Sequence, residues 1–358
     1  MKHRKIVFTG GGSAGHVTVN LALIPYFLQK GDAVHYIGSR DGIEKELVQS
    51  VEGVTYKGIA TGKLRRYLSI QNLKDPLRVL KGVGEAYRYL GEVKPSIVFS
   101  KGGFVSVPVV LAAWMRKIPV VIHESDLTPG LANQIALPFA THICTTFQEA
   151  AGHLKGKKAI HVGAVVRDEL RQGDKERARR WLGFEEGKPV LLFMGGSLGA
   201  KKMNDTVQVI VSKLTETYQI VHLCGKGQVN EGMNSIKGYK AFEYLQKELP
   251  DVLALADLVI SRAGSNAIFE FLSLNKPMLL IPLSEKVSRG DQLLNARSFE
   301  TSGYAKVLLE EDLSEETLLQ SILLLDQNKE KIQSRMLEYE RQDAVAEIIK
   351  IIESSRLA

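Results

Sequence analysis

The sequence predicts an α/β protein made of two doubly wound, parallel-sheet domains of Rossmann type. Three observations carry that expectation. Short apolar runs alternate with stretches of helical periodicity along the chain. The runs are near-continuously apolar, as strands are when helices cover both faces of their sheet. The two halves also open alike, as KIVFTGGGSAGH and PVLLFMGGSLGA, each a strand, a serine-bearing glycine cluster and a helix start.

In the first half the strands are expected at Lys5–Thr9, Ala33–Gly38, Ile97–Ser100, Val120–His123 and His142–Thr145. In the second they are expected at Val190–Met194, Ile220–Leu223, Leu258–Ser261 and Met278–Ile281. A polar stretch, Val165–Lys188, separates the halves and holds a charge-rich helix at Asp174–Leu182. The expected domains are therefore 1–165 and 166–340. Lys329 to Ser355 reads as one long helix without Gly or Pro, and its end, from about 341 to 358, is suited to pack back on the first domain.

Size and composition agree. A chain of 358 residues, 44% hydrophobic and 24% charged, fits two soluble globular domains with their own cores. The net charge of +7 suits a phosphate-bearing ligand, an anionic membrane surface or nucleic acid, and does not choose among them. Nucleic acid is disfavoured by 7% aromatic content and the lack of any recognised binding motif. Cys144 and Cys224 each follow an apolar stretch, and their distance in sequence offers no zinc or redox motif, which points to a reduced, cytoplasmic setting. The longest apolar run, Phe104 to Met115, is about half the ~20 residues of a spanning helix, so membrane association is expected to be peripheral.

Three segments carry chemistry. Gly10-Gly11-Gly12-Ser13-Ala14-Gly15-His16 matches G-x-G-x-x-G after a strand. Its glycines let a ligand approach the backbone, and the following helix presents unpaired N–H groups. A dinucleotide site would need an acid at the end of the second strand, but that strand reads VHYIGS and Arg40 follows, which leaves NADP open. The second loop is Gly195-Gly196-Ser197-Leu198-Gly199-Ala200. Either loop alone is equally a tight turn with no ligand. The third segment, Ser261 to Glu270, leads from a strand into a helix whose Glu270 is placed either to accept ribose hydroxyls or to complement the helix dipole. Two glycine loops, one per domain, suggest one cleft with a donor and an acceptor on opposite walls. No Asp-x-Asp occurs, so no metal and no cofactor is expected; helix N-termini and basic groups such as Arg167 would stabilise a leaving diphosphate.

These segments, with His123-Glu124-Ser125-Asp126, Gly163-Ala164-Val165-Val166-Arg167 and Asp291-Gln292-Leu293-Leu294-Asn295, resemble the MurG family in order and spacing over nearly the whole chain. The resemblance implies the two-domain GT-B fold and inverting glycosyl transfer. The donor would be UDP-N-acetylglucosamine and the acceptor an undecaprenyl-pyrophosphoryl-muramyl-pentapeptide, met by the first domain at the cytoplasmic face of the membrane. The second domain would bind the donor. Ser13, Ala14 and Gly15 would lie beside the donor and Ser197 would touch its diphosphate. Arg167 and the chain near Leu245 would line the uridine pocket, and Glu270 would hold the ribose. Ser265, Asn266, Ala267, Ile268, Phe269 and Gln292 would line the sugar and nucleotide side. Asp126 stands where the family's better-known form has an amide, and Ser13 where many relatives have Thr.

Inversion needs a base for the acceptor hydroxyl. His16, at the start of the helix after the first glycine loop, is the first candidate, because the ordinary histidine pKa lies near neutral. A plain loop-capping role suits it equally, and Glu124 and Asp126 are rivals. Lys63 to Leu90 holds seven basic residues (Lys63, Arg65, Arg66, Lys74, Arg78, Lys81, Arg88) and two acidic ones (Asp75, Glu85), interleaved with apolar residues at helical spacing. By itself it reads as a solvated helix face packed by its leucines; beside the resemblance it reads as a surface for anionic lipid. The competing functions are a related lipid transferase, such as a diacylglycerol glycosyltransferase, and a non-catalytic nucleotide-sugar sensor.

Overall fold

A computed structural model of the protein describes residues 4–13, 15–62, 70–154, 159–196, 200–233, 235–285 and 288–356, with the side chains of 70–75 and 153 outside that description. Ala14, Ser197, Lys63, Arg65 and Arg66 lie outside the described residues, as does the side chain of Lys74. The chain divides into two compact units, residues 1–165 with 342–358, and residues 166–341.

Unit 1 runs β1 (Lys5–Thr9), α1 (Gly15–Gln29), β2 (Ala33–Ser39), α2 (Ile43–Gln49), β3 (Val54–Ile59), α3 (Ile70–Val93), β4 (Ile97–Ser100), α4 (Ser106–Met115), β5 (Val120–Glu124), α5 (Leu131–Ala136), β6 (His142–Thr145), α6 (Gln148–His153) and β7 (Ala159–His161). Its strands form one parallel sheet in the order β3-β2-β1-β4-β5-β6-β7. The two-residue period of a strand explains its two cores. Ile6 and Phe8 enter one core with Leu23 and Phe27 of α1. Val7, between them, enters the other with Ala86 and Leu90 of α3 and Val109 and Ala113 of α4.

Unit 2 runs α7 (Lys175–Leu182), β8 (Val190–Met194), α8 (Lys201–Thr217), β9 (Gln219–Leu223), β10 (Tyr239–Phe242), α9 (Leu249–Leu255), β11 (Leu258–Ser261), α10 (Ser265–Ser273), β12 (Met278–Leu280), α11 (Asp291–Thr301), β13 (Ala305–Val307), α12 (Glu315–Gln327) and α13 (Lys329–Leu337). Its parallel sheet has the order β10-β9-β8-β11-β12-β13. The helix expected in the boundary region is α7. Asp174 caps it, accepting from the Glu176 and Arg177 amides, and Gly183 ends it in the left-handed region. Cys144 and Cys224 are buried and free.

Four strands were not anticipated: β3, β7, β10 and β13. They are the four edges of the two sheets. An edge strand is only partly covered, so its residues alternate or mix in burial, as Val54–Ile59 does, and no continuous apolar run marks it.

The tail is a correction. It is not one helix but two, α13 and α14 (Ala344–Ser355), broken over 338–343 where the chain passes from unit 2 back to unit 1. Asp343 starts the second helix by accepting from the Ala346 amide. Ile348, Ile351 and Ile352 of α14 then join the β1–α1 core. Arg356 directly follows α14. Its guanidinium lies 2.6 Å from Asp32 in the α1–β2 turn, with side-chain exposures of 2% and 6%, and it stacks 5.1 Å over the Phe27 ring.

Breaking a buried ion pair from one side leaves an uncompensated charge. Arg356→Ala is therefore expected to destabilise unit 1 by about 3 kcal/mol in urea unfolding, with Asp32→Asn/Arg356→Met recovering most of it. A loss within ~0.5 kcal/mol would mean the latch contributes nothing.

Candidate active site

In a doubly wound sheet the helices cover both faces, so a ligand meets the chain at the carboxyl ends of the strands, where the strand order reverses. In unit 1 that point lies between β1 and β4. The loops after these strands touch there. A Cβ added at Gly103 would meet the Gly11 carbonyl at 2.1 Å and His16 Nδ1 at 3.1 Å, and one at Gly12 would meet the Phe104 ring at 2.4 Å. Gly12 (φ 87°) and Gly103 (φ 80°) also adopt backbone that favours glycine.

The first glycine loop is held from three sides. The Tyr36 hydroxyl donates to the Gly10 carbonyl at 2.8 Å. The Gly12 amide donates to Glu44 Oε2 at 3.2 Å. His16 Nδ1 lies 3.2 Å from the Gly11 carbonyl oxygen and 3.0 Å from Ser13 Oγ. A carbonyl only accepts, so the Gly11 contact is a hydrogen bond in the tautomer with the proton on Nδ1 and the lone pair on Nε2, whereas the Ser13 hydroxyl can donate to Nδ1 in the other tautomer. Glu44 is fully buried and also accepts from the Ser39 amide at 2.9 Å and from the Ser39 hydroxyl. Glu44, five residues past the end of β2, is thus committed to the glycine loop. Arg40 pairs with Glu85 at 2.8 Å.

The β5 end supplies the two rival carboxylates. Glu124 is buried and accepts from the Asp126 amide (3.0 Å), the Gly130 amide (3.0 Å) and Asn133 Nδ2 (2.8 Å). Its geometry is that of a loop-holding group. Burial raises its pKa, and Asp126 adds to this, against the opposing pull of Lys101 and Asn133. Lys101, also buried, is pushed down by desolvation, while Glu124 and Asp126 oppose that shift. His123 is held well below the ordinary histidine value by burial and then by Lys101, and neither ring nitrogen has a hydrogen-bond partner among the described residues. Lys101 and Asn133 went unremarked in the sequence; the one signal was a lysine and two glycines interrupting the apolar run IVFSKGGFVSVP.

In unit 2 the order reverses between β8 and β11. The Ser261 hydroxyl and the Arg262 amide both donate to the Met194 carbonyl, joining the two strand ends beside Gly195 and Gly196. Gly264 precedes α10 and provides no side-chain cap for the first turn at Ser265–Ala267. One turn on, Glu270 accepts from Arg167 Nε (2.8 Å) and Nη2 (3.1 Å), a bidentate pair with the carboxylate 8% exposed. Burial alone would depress the Arg167 guanidinium, but the Glu270 hydrogen bond and charge raise it. Gln292 Oε1 accepts from the Leu283 amide at 3.1 Å.

The structure thus brings Ser13, Gly15 and His16 together in unit 1, with Glu124 and Asp126 on the neighbouring β5 loop. It brings Arg167 onto Glu270 in unit 2. Ile268 and Phe269 have buried side chains, Phe269 against Phe299 at 5.0 Å, so those side chains belong to the core of the unit. Leu245 follows β10, itself half-buried in an otherwise exposed loop. A pair missed in the sequence, Arg262 with Glu310, ties the β11 and β12 ends: Arg262 donates to the Ile281 carbonyl and Glu310 accepts from the Ser284 amide. Among the described residues, no group of three or more His, Cys, Asp or Glu is placed to hold a metal ion, and no helix is long and apolar enough to cross a membrane.

Residues 6–145 match the glycosyltransferase family 28 N-terminal domain and residues 190–351 its C-terminal domain. A UDP-N-acetylglucosamine–N-acetylmuramyl-(pentapeptide) pyrophosphoryl-undecaprenol N-acetylglucosamine transferase of Geobacillus kaustophilus is 55% identical over 98% of this chain and 99% of its own. A Clostridium perfringens protein of the same name is 53% identical over 99% of both chains. Among solved structures, Acinetobacter baumannii MurG has the same fold, with a TM-score of 0.76 at 24% identity over 98% of this chain and 99% of that one. The fold of a Neisseria meningitidis UDP-GlcNAc 2-epimerase bound to UDP-GlcNAc is also similar, with a TM-score of 0.71 at 14% identity over 98% of this chain and 100% of that one.

The Arg167–Glu270 pair is half open to solvent on the arginine side, so its coupling is modest. A double-mutant cycle with Arg167→Met and Glu270→Gln is expected to give about 1 kcal/mol in urea unfolding of unit 2. Zero coupling would mean that the pair adds nothing to the stability of unit 2.

Proposed function

We propose, on the premise that this chain belongs to glycosyltransferase family 28, that it transfers N-acetylglucosamine from UDP-N-acetylglucosamine to the C4 hydroxyl of a lipid-linked N-acetylmuramyl-pentapeptide. The observation that carries this reading is 55% identity, over 98% of the chain, to a transferase whose name states that donor and that acceptor. The same kinship disfavours a diacylglycerol acceptor and a non-catalytic sensor.

Unit 2 binds the donor. Glu270 holds the ribose: a carboxylate has about four lone-pair directions, and the two that Arg167 takes leave two for hydroxyls. Arg167 acts through Glu270 by fixing its orientation. The α10 first turn at Ser265–Ala267 and the Gly195–Ala200 loop, with Ser197, receive the diphosphate. Gln292 and the chain at Leu245 flank the nucleotide side. The positive ends of these helices stabilise UDP as it leaves, and no metal ion is required.

Unit 1 handles the acceptor. His16 is the base, with its Nε2 lone pair directed by the Nδ1–H bond to Gly11. In one step the acceptor O4 forms a bond to the sugar C1, the bond from C1 to the diphosphate oxygen breaks on the opposite face, and the O4 proton passes to Nε2. The new link is β-1,4. Glu124, taken up by three donors, shapes the loop that carries Asp126.

The lipid end lies on the α3 side of unit 1, at the cytoplasmic face of an anionic membrane. Leu77, Leu80 and Tyr87 follow one another at helical spacing and are exposed. Arg78, Lys81 and Arg88 flank them. Arg116 stacks on Tyr87 at 3.9 Å and follows the exposed Trp114 and Met115 of α4. Apolar residues amid basic ones are what an interfacial surface needs.

Incubated with both substrates, the protein is expected to release UDP in step with disaccharide formation, and to do so in EDTA. Release with a diacylglycerol acceptor alone would refute the assignment. His16→Ala is expected to lower kcat by on the order of 100-fold or more with donor KM little changed. Near-normal turnover with only a raised donor KM would remove His16 from the role.

Binding to vesicles containing anionic lipid is expected to weaken at 0.5 M salt and, by at least several-fold, on Lys81→Glu/Arg88→Glu. Affinity indifferent to both would refute the electrostatic part.

A further inference from the structure

The peptide group between Gly11 and Gly12 is engaged at both ends. Its N–H, on Gly12, donates to Glu44 Oε2 at 3.2 Å, and its C=O, on Gly11, faces His16 Nδ1 at 3.2 Å. In a trans peptide these two groups point in opposite directions, so carboxylate, peptide and imidazole form one hydrogen-bonded line. We propose that Glu44 is a positioning residue for His16: through this single peptide it selects the Nδ1–H tautomer and aims Nε2 at the acceptor hydroxyl. The proposal rests on the reading of His16 as the base.

Several observations support the line. Glu44 is fully buried, and its hydrogen-bond partners among the described residues are donors: the Gly12 amide, the Ser39 amide and the Ser39 hydroxyl. That is the environment of an acceptor-only carboxylate. A charge at one end of a hydrogen-bonded chain polarises the peptide and strengthens its carbonyl as an acceptor at the other end. The loop has no room to shift. A Cβ at Gly11 would lie 2.5 Å from the Glu44 carboxyl carbon, and one at Gly103 would lie 2.1 Å from the Gly11 oxygen. The Tyr36 hydroxyl meanwhile holds the preceding carbonyl, at Gly10. The plainer alternative, in which Glu44 only caps α2, is weakened because the α2 cap residue is Gly42 and the carboxylate turns back to β2 and the glycine loop. A histidine oriented by a carboxylate usually touches it directly; here a peptide stands between them.

The test is the imidazole tautomer, read by ¹⁵N NMR of the full chain at a pH where His16 is neutral. The wild type is expected to show His16 protonated at Nδ1. Glu44→Gln is expected to raise the Nε2–H fraction and to lower kcat by on the order of 10- to 100-fold, with KM for UDP-N-acetylglucosamine within about 3-fold. Ser39→Ala, which loosens Glu44 without removing its hold on Gly12, is expected to change kcat less than about 3-fold. A wild-type His16 protonated at Nε2 overturns the proposal, and that reading needs no variant to fold. So does a folded Glu44→Gln protein with unchanged tautomer, or a Ser39→Ala loss equal to that of Glu44→Gln. If the tautomer responds as expected while His16→Ala keeps full kcat, the base assignment fails and the Glu44 link stands.

Discussion

Buried or partly buried carboxylates that accept backbone N–H groups shape the turns at the carboxyl ends of the strands. Such a turn has amides with no partner in strand or helix, and an unmet buried N–H costs about 1–3 kcal/mol. Glu44 takes the amides of Gly12 and Ser39, Glu124 those of Asp126 and Gly130, and Glu310 that of Ser284. Glu44 sits on α2 and Glu124 at the end of β5, so each ties a loop to a regular element, while Glu310 joins two loops. Charge-assisted bonds are stronger than neutral ones, which suits loops that must hold a ligand's geometry. Carboxylates also face cations here, Arg262 for Glu310 and Lys101 for Glu124.

The placement of these loops follows from topology. In both sheets the first strand of the unit lies inside, with the next strands going out one way and the later ones the other. The loops after β1 and β4, and after β8 and β11, therefore leave neighbouring strands toward opposite faces and open a crevice between them. Each crevice is floored by strand ends that the cores lock in register, Ile6 and Phe8 on one side of the sheet and Val7 on the other. The last helix strengthens this arrangement in unit 1, where Ile348 and Ile352 are fully buried against the β1–α1 layer.

What the sequence made legible was what burial makes uniform. Central strands such as Val190–Met194 are apolar throughout and were found, but Ala305–Val307 and Tyr239–Phe242 sit at edges, mix buried with only partly covered positions, and have no such signature. The tail looked like one helix because its break, Glu338 to Asp343, contains no Gly or Pro; a capping aspartate and the return to another unit make the break, and both are tertiary facts. In the sites, Glu270 and Arg167 were visible as separate residues of known type. Their bidentate contact, across 103 positions of sequence, was not. Glu44 was hidden for a different reason. Five residues past Ser39 it looks like an ordinary first-turn helix acid, and only the folded turn reveals that its carboxylate faces the glycine loop.

That hidden contact alters what the G-x-G-x-x-G pattern means here. The pattern is usually read as a cradle for phosphate, on the ground that glycine loops expose amides. The question that decides the matter is where each amide goes. In this loop the Gly12 N–H goes to a carboxylate, and the carbonyl behind it goes to a histidine. At Gly12 an anion would meet Glu44 rather than an open donor. Glu44, buried just past the end of β2, is likewise turned to the protein's own amides, and Arg40 is paired with Glu85. The same spacing of glycines thus builds, in unit 1, a mount for an imidazole. The close approach that glycine permits serves the protein's own side chains, Glu44 against Gly11 and Phe104 against Gly12.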